Sequence, residues 1–361
     1  MNAAPKKPYI EIAGRKIGAD YPPYVIAEMS ANHNGSLDTA MKLIEAAAEA
    51  CADAVKIQTY RADTITIQSD KPEFRIKGGL WDGQTLYELY DQAHTPWEWH
   101  EGLFAKARAT GITLFSSPFD DTAVDLLQSL DAPAYKIASF EAVDLPLIRR
   151  VARTGKPVII STGLANEEEI EAAIETCRQA GCEDLVVLHC VSGYPAPASD
   201  YNLRTLADIG VRHEVLTGLS DHTLSNATAI AAIALGANVI EKHFTLDRSG
   251  GGPDDSFSLE PPELSELCRD CRTAWEALGS VDYSRKSSEA GNAQFRRSLY
   301  VVADVRAGDA VTPDNVRSIR PGYGLAPRHY DEILGRTFTK DVARATPVSW
   351  DFLAETDEAD S

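Results

Sequence analysis

Eight short apolar runs in this 361-residue sequence each end in polar side chains of types that can do chemistry. His222 follows one run in GLSDHT, and His243 closes another in IEKHFT. Two further runs carry the lysines Lys56 and Lys136, and others end in serines or in the carboxylate of Glu28. Neutral imidazoles bind divalent metals, lysines bind phosphate or form Schiff bases, and carboxylates move protons. The sequence therefore carries the components of a site for an anionic substrate.

The apolar runs alternate with amphipathic stretches, which predicts parallel strands buried on both faces and separated by helices. The runs lie at 24–27, 54–57, 113–115, 134–138, 158–160, 185–188, 215–219 and 239–240. The helical stretches include 37–49, 97–109, 123–130, 145–153, 167–179 and 226–235. Eight such units are the number that a closed (β/α)8 barrel needs, whereas no GxGxxG follows the first strand to favour a doubly wound sheet. We therefore predict an α/β fold, a (β/α)8 TIM barrel.

The composition changes after residue 280, which predicts a second domain. We expect a barrel domain at 1–280, a polar linker at 281–297, a small domain of short strands at 298–354 and a disordered acidic tail at 355–361. The opening IEIAGRKIG is typical of a hairpin that plugs the bottom of the barrel. Residues 61–94, rich in aromatic residues and glycine, are too long for an ordinary loop and predict a lid or specificity segment.

The composition also argues against several kinds of partner and location. The chain has 35 basic and 54 acidic residues, a net charge of −19, which argues against nucleic acid or an anionic membrane as partner. No apolar run reaches the length of a membrane span, and residues 1–14 lack the apolar core of a secretory signal, so we predict a cytoplasmic protein. The one CxxC, Cys268 and Cys271, lies in a helical stretch without a second pair, and we assign it no role.

A barrel brings its strand ends together on one face, where active sites form. A single polar strand end is usually structural, but eight together predict an active site. Lys56 and Lys136, with the serines and a helix opened by the STG turn at 161–163, predict a phosphate cradle, because they supply positive charge that the acidic chain lacks. His222 and His243 end adjacent strands and predict an open Mn²⁺ or Mg²⁺ site that polarises a carbonyl. Two histidines with structural partners are the alternative.

The motifs around these residues resemble, in order, those of the sialic acid synthase family. They are AEMSANHNG, KIQTY, SSPFD, PAYKIAS, PVIISTG, LHCVSGYPAP, GLSDHT, IEKHFTLD and GGPDDSFS. The later VVADVRAGDAVTPDNVRSIRPGYGL resembles the antifreeze-protein-like (SAF, β-clip) domain of the same family. Within the family, FRIKGGLWDGQTLYELYDQAHTPWEWH is more similar to pseudaminic acid synthases than to N-acetylneuraminate synthases.

The resemblance implies a domain-swapped homodimer that condenses phosphoenolpyruvate with an amino-sugar aldose and releases phosphate by C–O cleavage. For a pseudaminic acid synthase the aldose is 2,4-diacetamido-2,4,6-trideoxy-L-altrose. Glu28 would be the acid/base group, and His222 and His243 would bind the metal that holds the aldehyde oxygen. Phosphoenolpyruvate would be held by Lys56, Ser117, Lys136, Ser139, Ser161 and Ser220. The sugar would be contacted by Gln58, Tyr194, Asp254 and, from the partner subunit, Arg320. Ser192 stands where N-acetylneuraminate synthases have asparagine, which places it on the sugar side with an open role.

Three other functions compete with this one. Inside the family, the product could be N-acetylneuraminic or legionaminic acid. A Schiff-base aldolase on the same barrel would use Lys56, Lys136 or Lys242 as nucleophile. A non-catalytic binding protein is suggested by the antifreeze-like unit, but it would not need eight polar strand ends.

Overall fold

The computed structural model describes residues 8–355, which divide into two compact units, one ending at Gly279 and the other beginning at Ser280. The acidic tail predicted at 355–361 lies outside the described residues except for Glu355. The first unit opens with a hairpin, in which β1 (Ile10–Ile12) pairs antiparallel with β2 (Arg15–Ile17).

Eight parallel strands then form a closed barrel, which confirms the predicted fold class. The strands are β3 (Tyr24–Glu28), β4 (Ala54–Thr59), β5 (Thr113–Pro118), β6 (Tyr135–Ile137), β7 (Val158–Ser161), β8 (Leu185–Cys190), β9 (Leu216–Asp221) and β10 (Val239–His243). They follow one another in sequence around the barrel, and β10 closes it by pairing with β3.

Ten helices accompany this barrel in the described part of the chain. They are α1 (Leu37–Glu49), α2 (Ala62–Ile65), α3 (Leu86–Ala93), α4 (His100–Thr110), α5 (Asp121–Ser129), α6 (Leu145–Ala152), α7 (Glu167–Gln179), α8 (Arg204–His213), α9 (Ala227–Ala234) and α10 (Pro261–Leu278). Of these, α2 and α3 contribute to a cavity at the strand ends. The N-terminus of α1 is capped by the Ser36 hydroxyl, which accepts a hydrogen bond from the Thr39 amide. Within residues 8–355 none of the helices combines the length and the apolar character that crossing a membrane requires.

The barrel interior is apolar at its amino-terminal end and polar at its carboxyl end. Ile12 and Ile17 of the hairpin are fully buried and pack against strand residues such as Tyr24, Phe115 and Val239. The hairpin therefore fills the bottom of the barrel, as its sequence predicted. Burial of this apolar layer favours folding and leaves the opposite end free to carry polar groups.

Close strand packing makes one glycine necessary. A Cβ at Gly218 in β9 would lie 2.3 Å from the Val239 carbonyl oxygen and 2.6 Å from a Leu188 methyl. Both distances are shorter than real contacts allow, so the barrel wall at this point admits only a hydrogen at Cα.

Residues 61–94 are ordered in short elements. They comprise α2, a 3₁₀ turn at Pro72–Phe74, an isolated bridge between Arg75 and Thr85, and α3. Thr85 caps α3 and exchanges hydrogen bonds with Glu88 in a capping box.

The second unit is a small, mostly β structure. β11 (Ser298–Val301) pairs antiparallel with β12 (Val316–Ile319), and α11 (Tyr330–Ile333) follows. A 3₁₀ helix at Ser287–Phe295 precedes them. The unit has its own apolar core, formed by Leu299, Val301, Val305, Val311, Val316, Ile333, Phe338, Val342, Val348 and Leu353.

Candidate functional site

A cavity of about 520 Å³ opens at the carboxyl ends of the barrel strands. Most of the site residues predicted from the sequence line it, namely Glu28, Lys56, Gln58, Lys136, Ser139, Ser161, Tyr194, Ser220, His222, His243 and Asp254. The exceptions are Ser117, Ser192 and Arg320.

Two lysines and two glutamates form what we call the charged floor of the cavity: Glu28, Lys56, Lys136 and Glu241. Lys56 Nζ lies 3.1 Å from Glu28 Oε2 and 3.1 Å from Glu241 Oε1. Lys136 Nζ lies 3.5 Å from the same Glu241 oxygen. All four side chains are almost fully buried. Each carboxylate therefore neutralises ammonium groups that would otherwise be charged and desolvated.

The environment displaces the pKa values of the charged floor in different directions. Burial raises the pKa of Glu28, and neighbouring Lys56 opposes this only in part. Burial would also raise the pKa of Glu241, but Lys136 and Lys56 outweigh it and hold that pKa below its usual range. Burial lowers the pKa of Lys136. Carboxylates with unlike pKa values can take unlike roles, and Glu28 is the one that more readily holds a proton.

Serine hydroxyls line the same cavity as Lys136. Ser220 Oγ donates to Glu241 Oε1 at 3.4 Å, and Ser139 Oγ accepts from the Gly163 amide at 3.2 Å. The Ser161 Oγ is buried and has no hydrogen-bond partner among residues 8–355. A buried hydroxyl without a partner is costly, so its position favours an anion or water that would accept from it.

One part of the predicted phosphate cradle is wrong. The STG turn at 161–163 does not open a helix, because α7 begins only at Glu167. Its first turn is capped by Asn166 and carries Glu167, Glu168 and Glu169, and none of these residues lines the cavity. The positive end of this helix is thus already satisfied by carboxylates, and the cradle consists of lysines and hydroxyls.

A hydrogen-bonded chain of polar groups leads from the charged floor to the loop after β10. Gln58 Nε2 donates to Glu28 Oε1 at 2.9 Å and to Ser30 Oγ at 3.0 Å. Ser30 Oγ in turn donates to Asp254 Oδ2 at 2.5 Å. These bonds fix the orientation of Gln58 and Asp254, two of the residues predicted to contact a sugar.

The two predicted metal ligands lie side by side at the ends of β9 and β10. Their ring centroids are 5.4 Å apart, and the ring of Tyr194 lies 4.3 Å from that of His222. His222 Nδ1 contacts the Val191 carbonyl oxygen at 2.8 Å. Since a carbonyl only accepts, Nδ1 carries the proton and Nε2 keeps the lone pair, the tautomer that a metal ligand needs.

His243 fits the same role. Its Nδ1 is buried and has no hydrogen-bond partner among the described residues, and the nearest carboxylate oxygen, Asp254 Oδ2, is 3.9 Å away. Burial lowers its pKa well below the usual range, so the ring is neutral. Burial acts likewise on His222, but the charge of Cys190 outweighs it and raises that pKa, so a metal would compete with a proton there.

Within the described part of the chain, no group of three or more His, Cys, Asp or Glu has the arrangement of a metal site. Two neighbouring imidazoles could hold a metal that takes its remaining ligands from water and substrate, the open arrangement of catalytic sites.

A buried ion pair connects the two strands that carry the histidines. Lys242 Nζ lies 3.0 Å from Asp221 Oδ2 and donates to the carbonyl oxygens of Thr223 and Ser225 at 2.7 and 3.1 Å. Since Asp221 precedes His222 and Lys242 precedes His243, the pair ties the ends of β9 and β10 together.

The predicted residues that do not line the cavity lie in different places. Ser117 is fully buried, and its Oγ lies 3.4 Å from Lys56 Nζ. Ser192 Oγ lies against the backbone of Gly163, so close that a Cβ added to this glycine would be 2.1 Å from the hydroxyl oxygen. Arg320 belongs to the second unit, next to the end of β12, and is exposed.

Several residues that line the cavity were not predicted from the sequence. Glu141 lines the cavity at the end of a 3₁₀ turn at Ser139–Glu141, and its Oε2 is buried without a hydrogen-bond partner in the described chain. Burial raises the pKa of Glu141 to about 7. Its position just after YKIAS was a usable signal. Tyr60, the last residue of KIQTY, and Trp81, in the segment 61–94, also line the cavity, although neither was predicted as a site residue.

Comparisons with known proteins identify the family of the chain. Residues 43–283 match the NeuB family and residues 296–354 match the SAF domain. The chain is 46% identical to a pseudaminic acid synthase of Campylobacter jejuni, over 88% of this chain and 93% of that protein. It is 43% identical to a pseudaminic acid synthase of Helicobacter pylori, over 91% of this chain and 97% of that protein.

A solved structure of a related enzyme has a similar fold. The crystal structure of N-acetylneuraminic acid synthetase from Leptospira borgpetersenii in complex with citrate superposes with a TM-score of 0.70 at 30% identity, covering 79% of this chain and 94% of that one. The predicted resemblance is thus confirmed: with its closed barrel, its SAF domain and its cluster of lysines and histidines at the strand ends, the chain belongs to the NeuB family of sialic acid synthases.

Proposed function

We propose that this protein is a pseudaminic acid synthase, which condenses phosphoenolpyruvate with 2,4-diacetamido-2,4,6-trideoxy-L-altrose and releases phosphate. The observation that carries the proposal is the meeting of two lysines, two imidazoles and a protonatable glutamate around one cavity. The identity to pseudaminic acid synthases, higher than that to the N-acetylneuraminic acid synthetase, supports the choice of sugar within the family.

The chain's own residues would hold phosphoenolpyruvate at the charged floor. Lys56 and Lys136 supply the positive charge for its phosphate and carboxylate, and Ser139, Ser161 and Ser220 supply hydroxyl donors around them. Ser117 would act by holding Lys56, since its hydroxyl contacts that ammonium group. These groups are fixed and desolvated before the substrate arrives, the condition under which they stabilise charge most strongly.

Gln58, Tyr194 and Asp254 would orient the sugar so that its aldehyde carbon faces the vinyl carbon of phosphoenolpyruvate, and Ser192 would act near them. A divalent ion, Mn²⁺ or Mg²⁺, held by His222 and His243 supplies Lewis-acid polarisation of the aldehyde. The new C–C bond leaves a cation at the former enol carbon, water adds there, and the C–O bond to phosphate then breaks. Glu28, whose raised pKa suits proton transfer, would move the protons of these steps.

The aldolase alternative requires a neutral lysine. Lys56 lies between two carboxylates that raise its pKa in spite of burial, and Lys242 is paired with Asp221. Lys136, with a lowered pKa, is the lysine best suited to form a Schiff base. Borohydride added with substrate would trap such an adduct, whereas the synthase leaves none.

We also infer a domain-swapped homodimer in which Arg320 contacts the sugar bound to the partner subunit. The support is the family resemblance together with the exposure of Arg320 in the second unit.

The division into a synthase domain at 1–280, a linker at 281–297 and a SAF domain at 298–354 is part of this proposal. So is a cytoplasmic location, which the six free cysteines favour because reducing compartments keep thiols unpaired.

The test is phosphate release from phosphoenolpyruvate with a panel of amino sugars, including N-acetylmannosamine and the legionaminic acid precursor. We expect turnover with the altrose derivative, its loss on chelation and its recovery with Mn²⁺. His222→Ala and His243→Ala should lower Mn²⁺ affinity in a direct binding titration. His213→Ala, at the end of α8, is the control that should bind Mn²⁺ normally.

Two results would contradict the proposal. Faster turnover with another amino sugar would move the enzyme to a different product within the family. Unchanged Mn²⁺ affinity in both histidine variants would remove the metal site.

A further inference from the structure

The segment 61–94 has two chemically different faces. Every Asp, Glu, Lys and Arg in it, from Arg61 to Asp91, is exposed to solvent. The residues that it contributes to the cavity wall are Ile65, Ile76, Trp81, Leu86, Leu89 and Ala93, together with Tyr90. Charged and apolar residues alternate irregularly along the sequence, so the separation arises from how the segment folds over the barrel. We call its inner surface the apolar wall.

The apolar wall lies beside the groups proposed to bind the sugar. Trp81 Nε1 donates to the Pro253 carbonyl at 3.2 Å, next to Asp254, and its ring centroid is 6.1 Å from that of Tyr194. On the other flank, Tyr90 packs edge-on against Tyr60 at 5.9 Å, close to Gln58 in sequence. The charged floor, by contrast, comes from strands β3, β4, β6 and β10.

Trp81 has no free polar group to offer to a ligand, because its one N–H is used by Pro253. Ile65, Ile76, Leu86 and Leu89 offer only methyl and methylene groups. A sugar hydroxyl against Trp81 and these four aliphatic side chains would lose its hydrogen bonds to water and gain none. Among the residues of the apolar wall only Tyr90 carries a hydroxyl. A methyl group would gain the hydrophobic free energy of leaving water.

We infer that the apolar wall receives methyl groups of the sugar and thereby selects 6-deoxy, acetamido-bearing sugars over sugars that carry a hydroxyl at the same place. This rests on the proposed function and deepens it by naming the feature of the sugar that is recognised. The altrose derivative has methyl groups at C6 and on both acetamido substituents, a pattern that an apolar surface of this extent can recognise. An apolar surface rejects an added hydroxyl by a factor of roughly 10 to 100.

The test compares two sugars that differ only at C6: 2,4-diacetamido-2,4,6-trideoxy-L-altrose and 2,4-diacetamido-2,4-dideoxy-L-altrose. The wild-type enzyme should use the 6-deoxy sugar with a kcat/KM roughly 10-fold to 100-fold higher. Leu86→Asn and Ile65→Asn each place an amide in the wall and should reduce this ratio several-fold. The KM for phosphoenolpyruvate and the thermal midpoint should stay close to wild type, which separates lost selectivity from lost folding.

Ile67→Asn and Leu80→Asn are matched controls, since these side chains are 62% and 52% exposed and do not line the cavity. They should keep the wild-type ratio. Equal use of the two sugars by the wild-type enzyme would overturn the inference, as would an unchanged ratio in both wall variants, while the proposed synthase activity would stand. Absence of turnover with either sugar would overturn the proposed function and the inference with it.

Discussion

At the scale of single residues, Glu141 is the least expected feature of the site. It borders the cavity with one carboxylate oxygen buried and without a partner in the described chain, and burial raises its pKa to about 7. The folded protein therefore holds a proton at Glu141 between about pH 4.5 and 7, where the unfolded chain has lost it. Stability should fall as pH rises through this window, because ionisation places a charge in a desolvated position.

Glu141→Gln should remove this penalty. Near pH 5 both proteins are neutral at this position and should unfold at similar temperatures. At pH 8 the variant should be more stable, by no more than about 2 kcal/mol because the carboxyl borders an open cavity. Thermal unfolding at the two pH values measures the difference. A wild-type protein that equals or exceeds the variant at pH 8 would show that Glu141 has a stabilising partner when ionised.

At the scale of elements, the barrel depends on strands that approach each other more closely than a side chain allows. Gly218→Ala would force β9 and β10 apart, because the new methyl meets the Val239 carbonyl rather than a flexible side chain. We expect a loss of about 1–3 kcal/mol in the free energy of unfolding, with reduced activity because His222 lies four residues along the same chain.

The control is Gly102→Ala in α4, where a Cβ would meet only the terminal methyl of Met41 at 3.3 Å. Alanine also favours helix over glycine, so this variant should be as stable as wild type or more so. Denaturant melts of both variants give the comparison. Equal stability of the two would mean that the barrel relaxes around Gly218.

The elements also show why the sequence predicted so much of this fold. All eight barrel strands begin within one residue of the predicted apolar runs, and α1 and α7 have the predicted bounds. β4 and β10 continue past their apolar runs into Thr59 and His243, because backbone pairing with neighbours holds polar residues as well as apolar ones. Lys56, Lys136, His222 and His243 were found because strand ends mark their position.

What the sequence did not predict depends on tertiary packing. Trp81 reaches the cavity from a segment without a repeating pattern, and its hydrogen bond to Pro253 and its ring contact with Tyr194 hold it there. The STG turn failed as a helix start because Asn166, five residues later, is the better cap. Whether Ser117 faces a ligand or a lysine likewise depends on side-chain packing that residue type does not encode.

At the scale of the whole molecule, we propose that a second chain contributes Arg320 to the site. If Arg320 acts on the partner's cavity, mixing a His222→Ala protein with an Arg320→Ala protein should restore activity. After subunit exchange, half of the dimers are mixed and each has one intact site, so about a quarter of wild-type activity should return. Steady-state phosphate release before and after exchange measures this.

A pair of variants in one unit is the control for this complementation. Mixing His222→Ala with His243→Ala should restore nothing, because both substitutions affect the barrel. No recovery in the first mixture, with subunit exchange verified by differently tagged chains, would place Arg320 in its own subunit's site or in none.

The charged floor has a consequence for the affinity with which such an enzyme binds its substrates. Lys56 and Lys136 already have carboxylate neighbours, so a phosphate group bound there as proposed would replace an internal anion instead of meeting two unpaired cations. Much of the attraction between the lysines and the phosphate would then be cancelled in the ground state, which would keep the affinity moderate. The reverse exchange would help product release. After the C–O bond has broken, Glu241 would pair again with Lys56 and Lys136, and inorganic phosphate would dissociate.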